Sequence, residues 1–157
     1  MQVNEYQQLV DHRKMAAFKR RMREAAKQTA TFPNCRNVYV DEDILHAHGG
    51  VWEYRGGRGV KFCTTQEGLG NKDWLAEWVY MRDPAGGSRF DRIAKEVINC
   101  AANDNAGQNA LPVVCTDEAI TGDDSWFQDD VRSADFARGF VEGCREAGMA
   151  LVQGESA

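Results

Sequence analysis

Between Gly49 and Arg82 the sequence carries the alternation of a β-sheet. Trp52 and Tyr54 fall two apart, as do Val60, Phe62 and Thr64, the period of a strand with one packed face. Arg55-Gly56-Gly57-Arg58-Gly59 lies between them, and its glycines offer the positive-φ positions of a hairpin loop. Gly68 to Asn71 reads as a second turn. Trp74 to Arg82 then reads as a third strand, because the run Trp-Val-Tyr is β-prone. The same residues also make a helical face through Trp74, Leu75, Trp78, Val79 and Arg82, with Asp73 as cap. Such a sheet must be covered, and the flanking sequence supplies helices.

Residues 4–30 contain no glycine or proline, and Met15, Phe18, Met22 and Ala25 form one apolar stripe at helical spacing. Ser88 can cap a helix to about Ala102 whose stripe is Phe90, Ile93, Ala94, Val97, Ile98 and Ala101. Ser133 can cap a third helix to Ala147, with Phe136, Phe140, Val141 and Cys144 buried and Gly148 as its stop. Gly139 and Gly143 within it either admit another backbone at close range or weaken the helix. Short strands are expected at Arg36–Val40, Leu111–Thr116 and Met149–Val152, with a polar loop or short linker over 103–110 and a frayed tail over 153–157. The architecture predicted is α+β: one domain over 1–157, with an antiparallel sheet of three to five strands packed by the long N-terminal helix and two further helices.

Hydrophobic residues at 43% and charged residues at 27% are ordinary globular values, so disorder is not the default expectation. No apolar run approaches the ~18 residues of a membrane helix, and the first thirty residues are polar, so the expected location is the cytoplasm. The five cysteines are widely spaced, without a CxxC pair, and are expected to be reduced. Charge is segregated. Residues 1–36 carry a net charge of +5, against −10 over the remainder, and Asp117 to Asp130 holds six acids and no base. Such a chain can meet a polyanion at one end and a basic surface at the other, or it can fold its own two ends together.

The candidate sites follow from that segregation. Asp123, Asp124, Asp129 and Asp130 surround Trp126 and Phe127, a combination suited to a basic protein partner; the alternative is that both rings plug the loop into the core. Trp52 and Tyr54 add an aromatic surface on the hairpin. Arg13, Lys14, Lys19, Arg20, Arg21, Arg23 and Lys27 make the first helix a candidate for nucleic acid, with Arg55 and Arg58 as anion contacts at the hairpin turn. That turn lacks the Gly-Lys-Ser/Thr and following helix of a P-loop. Cys35, His46, His48 and Cys63 offer two thiols and two imidazoles for a zinc or thiol chemistry, but their spacing fits no common structural zinc pattern. No catalytic motif, cofactor motif or paired acid–base set is recognisable, which leans away from an enzyme.

Gly49-Gly50-Val51-Trp52-Glu53-Tyr54, with Gly56-Gly57 and then Phe62, resembles plasmid antirestriction proteins of the non-DNA-mimic type, over about fourteen residues. In compactness and segregated charge the whole chain looks like the small accessory proteins of phages and mobile elements. The resemblance implies a non-enzymatic inhibitor that occludes a host defence complex, a CRISPR ribonucleoprotein included. A nucleic-acid-binding accessory protein is the second expectation, and a metal- or thiol-dependent enzyme around His46 and His48 the third.

Overall fold

The computed structural model describes residues 12–34, 37–40 and 52–156. Helix α1 (His12–Thr29) is the described part of the helix predicted over 4–30. Its stripe is the one expected, and Met15, Phe18, Met22 and Ala25 are all buried. Phe18 sits among Phe127, Phe136 and Trp126, at ring distances of 4.9, 5.7 and 5.9 Å. At the end of α1 the Thr29 hydroxyl donates to the Ala26 carbonyl (2.9 Å) and accepts from the Leu151 amide (2.8 Å). One buried side chain thereby fastens α1 to the last strand.

Strands β1 (Val38–Val40) and β2 (Trp52–Tyr54) pair antiparallel, with Val38 opposite Tyr54 and Val40 opposite Trp52. The predicted hairpin partner over 60–64 is not a strand. β2 pairs with β1 instead, and Phe62, 62% exposed, meets Trp52 and Tyr54 only edge-on at 6.1 and 5.7 Å. The Tyr54 ring lies where a Cβ on Gly56 would be, so that glycine serves a close approach. The aromatic alternation marked a contact between rings, which need not be a ladder between backbones.

Trp74 to Arg82 is likewise not a strand but helix α2 (Lys72–Arg82). Its contacts decide the matter at helical spacing. Ala76 and Tyr80, four apart, are buried, while Trp74, Leu75, Trp78 and Met81 face outward. After a 3-10 turn at Pro84–Gly86, helix α3 spans Phe90–Gly107 and buries Phe90, Ala94 and Ile98. It therefore continues through most of the polar run over 103–110 where a loop was expected. Ser88 is not its cap residue; Arg89 holds that place at φ 65°. The buried Ser88 hydroxyl instead donates to Asp135 (2.6 Å) and accepts from the Phe90 amide (3.3 Å).

Strand β3 (Val114–Ala119), helix α4 (Asp130–Ala147) and strand β4 (Ala150–Ser156) form a βαβ unit. β3 and β4 are parallel, because a helix between two strands of one sheet returns the chain to its starting end. The described strands therefore make two two-stranded sheets, one antiparallel and one parallel, in place of one antiparallel sheet of three to five strands. β4 runs to Ser156, where a frayed tail was expected. Asp129, not Ser133, caps α4, accepting from the Val131 and Arg132 amides, and Gly148 ends it at φ 67°.

Helices α3 and α4 cross at Gly139 and Gly143. A Cβ on Gly139 would lie 2.2 Å from the Asp91 carbonyl oxygen, and one on Gly143 would lie 2.9 Å from Ile98 Cβ. The glycines thus admit a neighbouring backbone. Gly139→Ala forces the helices apart, which costs about 1–3 kcal/mol, against a gain in helix propensity of under ~1 kcal/mol. A net loss near 1–2 kcal/mol is expected in denaturant titration. A variant as stable as the parent would mean that the crossing can open without cost.

Candidate functional site at the carboxyl ends of the parallel strands

Parallel strands end together, and what they carry there lies side by side. Asp117 is opposite Gly154, and Glu118 is opposite Glu155. The Asp117 side chain folds across β4: its Oδ1 lies 2.1 Å from where a Cβ on Gly154 would be. Only glycine leaves that space. Oδ1 is buried and has no hydrogen-bond partner among the described residues. Burial pushes the Asp117 carboxyl up to about 7, its own backbone amide pulls the other way, and the charge of Glu155 raises it further. A carboxyl poised near neutral pH can hold or release a proton under physiological conditions. Two residues earlier on β3, Cys115 Sγ touches Cys144 Sγ of α4 at 3.6 Å, and that contact together with burial raises the Cys115 thiol.

Beside this edge a cleft of about 370 Å³ opens between the start of α2 and residues 118–122. Asp73, Trp74, Glu77, Glu118 and Trp126 line it, with Phe90 and Phe136 behind. Its far wall is braced by Arg132, whose Nε and Nη2 donate to the two oxygens of Glu77 (2.9 and 2.7 Å) and whose Nη1 donates to Asp129 (2.8 Å). The Arg132 guanidinium also lies 4.7 Å over the Tyr80 ring, and the Trp126 indole N–H donates to Glu77.

The residues singled out from the sequence take up different places. Phe127 is fully buried, and Trp126 packs partly buried against the core. Asp123 accepts from the Ser125 amide, which holds its carboxyl below the usual range. Asp129 caps α4, and Asp130 pairs with Arg21 at 2.6 Å, so the basic helix and the acidic segment meet within one molecule. Arg21 also donates to Ser133, and Lys27 pairs with Glu24. Arg20 and Arg23 are exposed, as is Arg13, while Lys14 and Lys19 are half-buried. Arg55 pairs with Glu53 (2.7 Å) and stacks over Tyr39 (4.3 Å), and Arg58 is exposed. Trp52 and Tyr54 are half-buried beneath Phe62. Cys35, His46 and His48 lie outside the described residues, and Cys63 is exposed. Among the described residues no three His, Cys, Asp or Glu side chains are grouped to hold a metal, and no helix is long and apolar enough to cross a membrane.

Asp117, Gly154 and Glu155 were not singled out. The signal for them was faint: Asp117 comes one residue, Thr116, after the apolar run Val113-Val114-Cys115, and Gly154-Glu155 comes one residue, Gln153, after Leu151-Val152.

A parallel βαβ unit with ionisable groups at its carboxyl edge is a common setting for small-molecule chemistry. Residues 59–157, which hold that unit, match the family model of the AIR synthase related protein N-terminal domain, and the chain belongs to this family. It is similar to the phosphoribosylformylglycinamidine cyclo-ligase of Limosilactobacillus fermentum, 39% identical over 69 residues, covering 44% of this chain and 19% of that enzyme. The enzyme of the same name from Limosilactobacillus reuteri is 32% identical over 91 residues, covering 58% of this chain and 23% of the enzyme. That of Lactobacillus acidophilus is also 32% identical, over 94 residues, with the same coverage. The chain thus spans about a fifth of the length of these relatives. The family match overturns the reading as an anti-defence inhibitor of a host complex, together with the phage and antirestriction character drawn from Gly49 to Phe62. A glycine-rich aromatic hairpin is a composition many folds share. Here its described part, Trp52–Tyr54, pairs with the strand before it, and residues 60–64 are not a strand.

Proposed function

We propose that this chain is a substrate-binding module of the cyclo-ligase type, which takes a phosphoribosyl compound bearing an amidine and contributes to closing its ring. The observation that carries this reading is the Asp117 carboxyl folded over Gly154, at the carboxyl edge of the βαβ unit and inside the family-matched segment. Closing a ring through an amidine nitrogen requires that nitrogen to lose a proton. Asp117, balanced near neutrality, is the described group best suited to exchange one. The chain covers about a fifth of the relatives' length, so its part in such a reaction is proposed as binding and proton exchange alone.

Titrating the chain with phosphoribosylformylglycinamidine by calorimetry tests this. Saturable heat is expected, with an affinity that changes between pH 6 and 8 in the parent and is flat across that range in Asp117→Asn. Absence of heat at millimolar ligand would overturn the assignment.

A further inference from the structure

We propose that the cleft between the start of α2 and the end of β3 takes a planar cation, an amidinium or guanidinium, held by Glu118 against the face of Trp74. Among the described residues, three carboxylates, Asp73, Glu77 and Glu118, line the cleft, and no lysine, arginine or histidine does. They are not equivalent. Glu77 is already occupied by Arg132 and Trp126, and Asp73 accepts from the Trp74 amide (2.7 Å). Glu118 is exposed at the end of β3, opposite another carboxylate, Glu155, so an incoming cation relieves a repulsion as well as gaining a partner.

The aromatic wall sharpens the chemistry. Trp74 lines the cleft yet is 75% exposed, a large indole surface left without cover in the free chain. Indole faces attract cations, and a planar, weakly hydrated cation gains most from stacking. The fold uses the same chemistry twice nearby. Arg132 forks onto Glu77 while lying over Tyr80, and the Arg82 guanidinium sits 3.9 Å above Trp78. A volume of about 370 Å³ suits a small organic molecule. A bare metal ion is the poorer occupant, since no three ligating side chains among the described residues are grouped to hold one. Identifying the cation with the amidine of the substrate rests on the proposed function; the cleft's preference for a planar cation does not.

The test uses the four tryptophan indole N–H signals of the 15N-labelled chain, with Trp74→Phe to assign one of them. Acetamidinium chloride is titrated, with its neutral isostere acetamide and sodium phosphate as comparisons at constant ionic strength. The expected result is a saturable shift of the Trp74 signal by acetamidinium in the millimolar range, fitting so small a probe. Acetamide should be at least ~10-fold weaker, and Glu118→Gln should weaken acetamidinium about fivefold with the rest of the spectrum unchanged. No shift, an equal shift with acetamide, or a shift with phosphate alone would overturn the proposal. Acetamidinium binding in a chain that ignores phosphoribosylformylglycinamidine would keep the cleft and discard the cyclo-ligase reading. The opposite pattern would discard the cleft alone.

Discussion

Phe18→Ala should destabilise the fold by about 3–5 kcal/mol, the usual cost of removing a buried phenylalanine. Phe18 is fully buried and lies within 6 Å of the ring centres of Phe127, Phe136 and Trp126. Those three rings belong to the family-matched segment, whereas Phe18 precedes it. The substitution therefore asks whether α1 is an ornament or part of the same core. Trp126 also forms part of the cleft wall and donates to Glu77, so a cavity at Phe18 has a direct route to the cleft. Urea titration followed by tryptophan fluorescence would measure the loss. A single transition displaced by several kilocalories is expected. An unchanged midpoint, or a separate early transition for α1 alone, would mean that α1 packs on a core already complete without it.

The same core explains which parts of the fold could be read from the sequence. α1, α3 and α4 each bury a stripe with residues three and four apart over many turns, so Met15-Phe18-Met22, Phe90-Ala94-Ile98 and Phe136-Phe140-Cys144 were visible in advance. β1 and β2 are three residues long, too short for a period, and β2's partner lies before it in the chain. For α2, strand and helix patterns coincide at Trp74 and Trp78, and the choice is made by distant groups: Tyr80 Oη donates to Asp129, and Arg132 holds Glu77. The parallel pairing of β3 and β4 leaves no local mark beyond the helix between them. The site was hidden for the same reason. Asp117 reads as one more acid in an acidic run until β4 brings Gly154 beneath it, and only then does its burial become evident.

Asp117→Asn provides the sharpest test of what that burial means. In the unfolded chain the carboxyl takes its ordinary value of 3.8, and in the fold it rises to about 7. Below pH 4 it is protonated in both states and contributes no difference. Between about 4 and 7 the folded chain holds a proton that the unfolded chain releases, so stability falls as pH rises through that window. Above 7 the folded state carries a charge on a half-buried side chain whose Oδ1 is shut off from solvent, a cost of at most about 4 kcal/mol. Asparagine cannot titrate and still offers an oxygen at Oδ1. The variant should thus match the parent near pH 4 and exceed it by several kilocalories at pH 8, read as a widening gap in denaturation midpoints. Two curves that stay parallel from pH 4 to 8 would show that the carboxyl is not buried as described. A residue whose removal stabilises the fold at working pH is retained for something other than folding. If Asp117→Asn gains stability and also loses the pH dependence of ligand binding, the cost and the function belong to the same proton.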